Sequence, residues 1–329
     1  MNVAKKNYKI IVVDNFRESR KNIIKHKNII YSKTDIRDTE ALLRVFKKYK
    51  PNLVVHYAAL ASVPGSIAVP EEYYETNIIG GLNILSAMLE TGVKNIVFSS
   101  SASVYGEPIS EVIGEDHPKD PTNPYGRTKL MFEEILKDYH RAYGINSVSF
   151  RYFCASGCDE SGKIGEYHTP ESHVIPAIIE TLLGKREKFF VTGNDFKTKD
   201  GTGIRDYIHV NDLASAHLLA VKKLLSEKQL CERFNLGINK GFSVLELIAA
   251  AEKVSGKKLT YEIKERRPGD PSKLIADATK AQEFFGWKPR YIDIEEIIKT
   301  AYEFKNNPAP LKLRGTNPTS LKLRGTKEK

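Results

Sequence analysis

Residues 94–106 read KNIVFSSSASVYG. The stretch opens as a short apolar run, passes into three serines and closes on Gly106. An apolar run of this length that ends in turn residues reads as a buried strand, here Lys94–Ser99, with a hydroxyl-rich turn at its end. Working outward, the pattern recurs. YKIIVV at 8–13 is β-branched and runs into Asp14-Asn15, and further strands are expected at Asn28–Tyr31, Leu53–Tyr57 and Ser147–Tyr152. Helical patterns lie between them. Thr39–Tyr49 is amphipathic. Residues 71–92 place Ile78, Ile79, Leu82, Leu85 and Leu89 at helical spacing, with Gly92 as the stop, and Pro124–Tyr143 is closed by Gly144. Strands alternating with helices predict an α/β fold built on a doubly wound parallel sheet.

Past residue 155 the texture changes. Loops rich in Gly, Pro and charge run to Gly203, followed by helical stretches at Asn211–Leu225, Ser243–Ser255 and Thr279–Phe285. We read a first domain over 1–155, a smaller α/β domain with some chain recrossing over 156–305, and a basic disordered tail over 306–329. The tail repeats LKLRGT at 311–316 and 321–326. Two six-residue copies are too few and too short for a repeat fold.

The chain has 329 residues, and its charged fraction of 28% is ordinary for a soluble enzyme. Lys+Arg 51 against Asp+Glu 41 leaves a net charge of +10. About half of that excess sits in the tail, which carries Lys312, Arg314, Lys322, Arg324, Lys327 and Lys329 against Glu328. The remainder does not argue for a nucleic-acid partner and suits an anionic small molecule. No apolar run approaches the roughly 18 residues of a membrane span. The start MNVAKKNYKI has no apolar signal region, so a cytoplasmic protein is expected. Three cysteines, an odd number, agree with a reducing compartment.

Several motifs fail. GCDESGKI at 157–164 is one residue short of a phosphate-binding P-loop and puts Ile164 where a magnesium-holding hydroxyl belongs. Cys154 and Cys158 have neither zinc nor redox spacing, and His168 and His173 show no metal pattern, so no metal is expected. No Gly-x-Ser-x-Gly elbow occurs.

One constellation carries chemistry. Tyr125 and Lys129, in PYGRTK at 124–129, are i and i+4 and share a helix face. An ammonium beside a phenol favours the phenolate, so the pair is expected to act as a general base near neutral pH. The serines at 99–101 stand at a strand end, which in parallel sheets faces the ligand crevice.

Ser, Tyr and Lys in this order and setting resemble the extended short-chain dehydrogenase/reductase superfamily. The resemblance runs from about Tyr8 to Lys305. It rests on HYAALASVPGS (56–66), YYETNIIGGLNIL (73–85), FSSSASVYG (98–106), PYGRTK, RYF (151–153), DGTGIRDYIHVNDLA (200–214) and RRPGD (266–270). Together these are similar to the UDP-glucose 4-epimerase family, and DGTGIRDYIHV is the most specific. Relatives that eliminate water carry an Asp-Glu pair after the hydroxyl residue. Here Ala102 and Ser103 occupy those places, which disfavours elimination.

The resemblance implies a Rossmann-type NAD-binding first domain and a UDP-sugar domain after it. It implies Tyr125 as the base on the sugar 4-hydroxyl, Ser101 sharing that hydrogen bond, and Lys129 holding the nicotinamide ribose. Asp14 and Asn15 would meet the adenosine ribose, and Asp35 and Ile36 would flank adenine. Tyr57, Ala58, Ala59, Asn77, Ser99 and Tyr152 would lie along the cofactor. On the substrate side it implies Phe153, Cys154, His173, Arg205, Arg267 and Asp270, with the two arginines on the diphosphate. An ion pair is the alternative reading of each arginine. A homodimer through the helices around 73–90 and 125–142 is also implied.

Departures matter. The family opens with a strand, a Gly-x-x-Gly-x-x-Gly loop and a helix that cradle the NAD pyrophosphate. This sequence has no such loop, and Met1–Lys6 lines up with the end of that helix. Strands flanking the missing one are expected to lose a partner, and NAD binding to weaken. Cys154 replaces the family's substrate-contacting Asn. Two other outcomes stay open: an epimerase of UDP-N-acetylhexosamines or UDP-uronates, and a non-catalytic remnant.

Overall fold

The computed structural model describes residues 8–17, 24–168, 171–227, 229–266 and 270–307. Arg267, residues 1–7 and the repeated tail from 308 onward lie outside the described residues.

The strand read first is the spine. β4 (Asn95–Ser101) pairs in parallel with β6 (Asn146–Tyr152) over seven residues, from Asn95 opposite Asn146 to Ser101 opposite Tyr152. β3 (Val54–His56) flanks β4, and β10 (Cys231–Leu236) flanks β6, so the sheet order is β10-β6-β4-β3. Ile96, Val97, Val148 and Phe150 are fully buried. Near-continuous apolar strands follow from helices covering both faces. On one side α1 (Thr39–Tyr49), α4 (Gly80–Thr91) and α5 (Pro124–Tyr143) enclose Leu42, Leu85, Met88, Ile96 and Phe132. On the other, α7 (Val210–Ser226) and α9 (Thr279–Phe285) enclose Val97, Phe150, Ala216, Phe234 and Trp287.

β1 (Ile10–Asp14) and β2 (Ile29–Lys33) pair in parallel as a separate two-stranded sheet. Val13 and Val54 pack on one core, yet among the described residues no ladder joins β1 to β3. All five β1 residues stay only half-buried.

The helix expected at 71–92 is interrupted. α3 (Pro70–Tyr74) runs into a π-helical turn at Glu75–Ile79 and then into α4, which ends at Gly92 with φ +74°. Such turns are rare and recur at functional sites. Here the turn carries Asn77.

The second half brings elements that the sequence pattern missed. α6 (Val174–Leu182) and α10 (Ile294–Asn306) pack with α8 (Val244–Ser255) around Ile178, Leu247, Ile297 and Phe304. α6 is apolar almost throughout, so it has little polar face to reveal a helical period. β9 (Ile204–His209) pairs with β11 (Gly241–Ser243), β13 (Lys273–Ala276) and β7 (Cys154–Ser156). Residues 157–164 close on themselves, with the Asp159 N–H donating to the Ile164 carbonyl at 2.9 Å. No helix of the described residues is long and apolar enough to cross a membrane. The three cysteines are free thiols.

Candidate active site

The site forms where the end of β4 meets the start of α5. Asn123 caps α5, its side chain accepting from the Gly126 N–H at 2.9 Å, and Pro124 occupies the first turn. Gly126 is there for space. A Cβ at this position would lie 2.4 Å from the Ser103 carbonyl oxygen, so glycine lets the helix start sit on the turn after Ser101.

Three consecutive serines then meet the helix. The Ser99 carbonyl accepts from Lys129 Nζ at 2.7 Å. The Ser100 hydroxyl donates to Glu133 Oε1 at 2.6 Å. The Ser101 hydroxyl donates to Ser103 Oγ at 3.2 Å and accepts from the Ser103 N–H at 3.1 Å, and it stands close enough to Tyr125 to favour the phenolate. Tyr125, Lys129 and Ser101 are thus brought together as the sequence implied.

The electrostatics differ from expectation. The spacing suggested that Lys129 would lower the Tyr125 phenol. Burial instead raises it, with Ser101 opposing. Lys129 Nζ lies 5.7 Å from the phenol ring centroid and spends its hydrogen bond on the backbone. Burial, opposed by Glu133, lowers the Lys129 ammonium to about 7. The desolvation of both groups outweighs their mutual attraction.

Asn77 ties the loop after β3 to α5. Its Oδ1 accepts from the Leu60 N–H at 2.8 Å, and its Nδ2 donates to the Leu60 carbonyl at 3.1 Å and to Thr128 Oγ1 at 3.0 Å. Tyr57 and Ala58 stand exposed on that loop, and Ala59 is half-buried. The Tyr57 ring lies 5.1 Å from the ring of His217, a residue the sequence reading missed. His217 Nδ1 meets the Leu213 carbonyl at 2.8 Å, so it carries the proton. Nε2 is left to accept from the Tyr152 hydroxyl at 2.7 Å. Burial lowers His217 to about 4, which keeps it neutral. Tyr73, also missed, donates to the Ser62 carbonyl at 2.6 Å and raises the Tyr125 phenol through its proximity.

At the end of β1, Asp14 Oδ1 accepts from the Phe16 N–H at 2.7 Å. Asn15 Nδ2 donates to Asp35 at 2.9 Å, and Arg37 grips Asp35 through Nε and Nη2 at 3.0 and 2.9 Å. The Arg37 guanidinium holds the Asp35 carboxyl well below the usual range. The Ile36 side chain is buried against Gly80 and belongs to the core.

On the substrate side, Arg205 and Asp270 form an ion pair with each other, and Arg205 Nη1 donates to the Ile204 carbonyl at 2.8 Å. Cys154 opposes Tyr207 in the β7–β9 ladder, and burial pushes its thiol up to about 11. Phe153 is buried among Ala102, Val104 and Tyr105. His173 caps α6 and contacts Glu166 and Glu171, which raise it to about 10 and hold it as a cation. Glu166, His168 and His173 place ligand atoms within 4.8 Å of one another, a cluster that the spacing did not reveal. The proton on His173 already balances these carboxylates.

The family model for GDP-mannose 4,6 dehydratase matches residues 2–301. The carboxylates expected of a dehydratase are nevertheless absent at Ala102 and Ser103. The UDP-glucose 4-epimerase of Halalkalibacterium halodurans is 44% identical over 91% of this chain and 89% of its own length, and that of Bacillus subtilis is 42% identical. A structure of the Brucella ovis UDP-glucose 4-epimerase in complex with NAD superposes with a TM-score of 0.88, at 40% identity and 92% coverage of both chains. The Bifidobacterium longum UDP-glucose 4-epimerase in complex with NAD+ and UDP gives 0.89, at 38% identity and 93% coverage of both. Identity at this level across nine tenths of both chains, joined to the Ser101, Tyr125 and Lys129 constellation, places this chain in the UDP-glucose 4-epimerase family of extended short-chain dehydrogenases/reductases.

Proposed function

We propose that this chain interconverts UDP-galactose and UDP-glucose by NAD-dependent epimerisation at C4. The observation that carries the reading is the Tyr125 hydroxyl beside Ser101, one helical turn from Lys129, with uncharged Ala102 and Ser103 following. Two hydroxyls on one sugar oxygen support transfer of its proton, and the lack of a further acid leaves nothing to expel water.

Tyr125 takes the proton from the 4-hydroxyl, and Ser101 holds the same oxygen while its charge changes. NAD, when bound, would supply the acceptor for the C4 hydride and the source of its return to the other face of the ring. Tyr125 then returns the proton to the 4-keto oxygen. Lys129, near 7, is poised between its charged and neutral forms and in the charged form stabilises the phenolate. His217 orients Tyr152 beside it.

The residues fit both ends of a dinucleotide. Asp14 presents a carboxylate at a strand end, which suits ribose hydroxyls and would repel a 2′-phosphate. Exposed Tyr57 and Ala58 and half-buried Ala59 form a shelf, the following residue Leu60 being held by Asn77. The sequence holds no Gly-x-x-Gly-x-x-Gly cradle between these ends. On the sugar side, Arg205 and Arg267 would meet the diphosphate, Asp270 the uridine ribose, and Phe153, Cys154 and cationic His173 the rim. We place the enzyme in the cytoplasm, as a homodimer through the helices around 73–90 and 125–142. Half-exposed Ile79 and Met131 on these helices support that interface.

The test is conversion of UDP-galactose by the purified chain with NAD supplied, beside Tyr125→Phe. Conversion that disappears in the variant supports the reading. Conversion of UDP-N-acetylgalactosamine alone, or none with either sugar, overturns it.

A further inference from the structure

The carboxylate of Glu133 lies at the centre of the sheet and takes no part in the proton transfer described above. It is 1% exposed, and so is its partner Arg151. Arg151 donates from Nε to Oε1 at 2.9 Å and from Nη2 to Oε2 at 2.5 Å. Ser100 Oγ donates to Oε1 at 2.6 Å, and Arg233 Nε lies 3.4 Å from Oε2. One carboxylate therefore binds β4, β6 and β10 to α5. Arg151 extends the network, donating from Nη1 to the Tyr105 hydroxyl at 2.9 Å, and Tyr105 donates to Asn235 Oδ1 at 2.6 Å.

The register is what gives this a function. Tyr125, Lys129 and Glu133 are spaced i, i+4 and i+8 and form one stripe of α5. Each meets one of three successive β4 residues: Ser101, Ser99 and Ser100. The Ser100–Glu133 bond falls between the other two along the strand. A shift of α5 along β4 that breaks this bond also moves Tyr125 off Ser101 and Lys129 off the Ser99 carbonyl.

We propose that Glu133 is a positioning residue that fixes Tyr125 and Lys129 against the end of β4 and places its carboxylate as the counter-charge to the Lys129 ammonium. This rests on the epimerase reading for its use, but not for its test. The charged and titratable groups around Lys129 are few. Its own helix offers Tyr125 and Glu133, β3 offers His56, and β6 offers Arg151 beyond Glu133. His56 is buried, and burial lowers it to about 3, so it stays neutral. Glu133 is the one anion that opposes the loss of the Lys129 proton. A fixed opposite charge at this range favours the charged form.

The experiment is an NMR titration of the protein with 13C-labelled lysine side chains, the Lys129 signal being assigned with Lys129→Met. Glu133→Gln alone leaves Arg151 buried without its partner and risks the fold. The deciding variant is therefore Glu133→Gln with Arg151→Met, checked by circular dichroism and thermal melting. We expect its Lys129 midpoint to fall by about one pH unit or more relative to the parent. Glu133→Asp, which keeps the charge, should restore most of the difference. Ser100→Ala cuts the tether and keeps the charge. It should leave the midpoint nearly in place and lower kcat about tenfold with KM little changed. An unchanged Lys129 midpoint in the folded double variant overturns the proposal, whatever the activity. A chain with no epimerase activity but a shifted midpoint would sink the functional reading and leave the hold of Glu133 on Lys129 standing.

Discussion

Lys129 Nζ donates to the Ser99 carbonyl at 2.7 Å rather than to the phenol of Tyr125. The lysine is thus anchored to the backbone of the strand that supplies Ser101. It sets a charge at a fixed place, while the group beside the Tyr125 hydroxyl is the Ser101 side chain. Burial works against the charged form of Lys129, so the site pays for its chemistry in stability.

Lys129→Met should therefore abolish epimerisation and still raise the melting temperature. Removing a buried ammonium relieves a desolvation penalty, and gains of the order of 1 kcal/mol are common when an active-site charge is exchanged for an apolar side chain. A parallel pair of thermal melts and activity assays checks this. A lower melting temperature would show that the Ser99 bond outweighs the cost of burial.

Tyr125→Phe removes one hydroxyl, which stands beside Ser101. We expect a loss of about 10²- to 10⁴-fold in kcat, the range for a positioned acid–base group. The fold should be unchanged by circular dichroism. Activity within threefold of the parent would show that Tyr125 is not the base.

Gly126→Ala tests the packing of the helix start. Alanine is the better helix former, yet its Cβ would meet the Ser103 carbonyl at 2.4 Å. We expect about 1–3 kcal/mol of destabilisation by urea unfolding, as for other overpacked sites. A sharp fall in kcat should accompany it, because Tyr125 is the neighbouring residue. A more stable variant would mean that the turn at Ala102–Val104 yields easily.

The His173 cluster should appear in the pH dependence of stability. Its folded pKa, about 10, lies above the ordinary value of 6.5, because Glu166 and Glu171 hold the protonated form. The folded state thus binds more protons than the unfolded state between these values. The contribution is complete below 6.5, declines as pH rises, and is gone once pH passes 10. His173→Gln should flatten the fall in stability between pH 6.5 and 10, measured by urea midpoints. A slope identical to the parent's would assign the dependence to other groups.

Much of the site was legible because its chemistry is local. Tyr125 and Lys129 are one helical turn apart, and Ser99 to Ser101 end a strand that announces itself by its apolar run. His217 and Glu133 were not legible. The bond from Tyr152 to His217 spans 65 residues in sequence, and that from Ser100 to Glu133 spans 33. No periodicity encodes such distant pairings.

The direction of the titrations was also invisible. Spacing shows that a lysine lies near a tyrosine, and from that a lowered phenol follows. It does not show how far each is withdrawn from water, and burial reverses the sign for Tyr125. Arg205 and Asp270 make a similar case: both were read as substrate groups, and the fold pairs them with each other. The sequence by itself determined the alternation of strands and helices, the family and the candidate reacting groups, because these follow from hydrophobic period and short motifs. The tertiary structure decided which charge faces which and which groups lose their water. Those depend on the whole packed surroundings of each side chain, assembled from segments that only folding brings together.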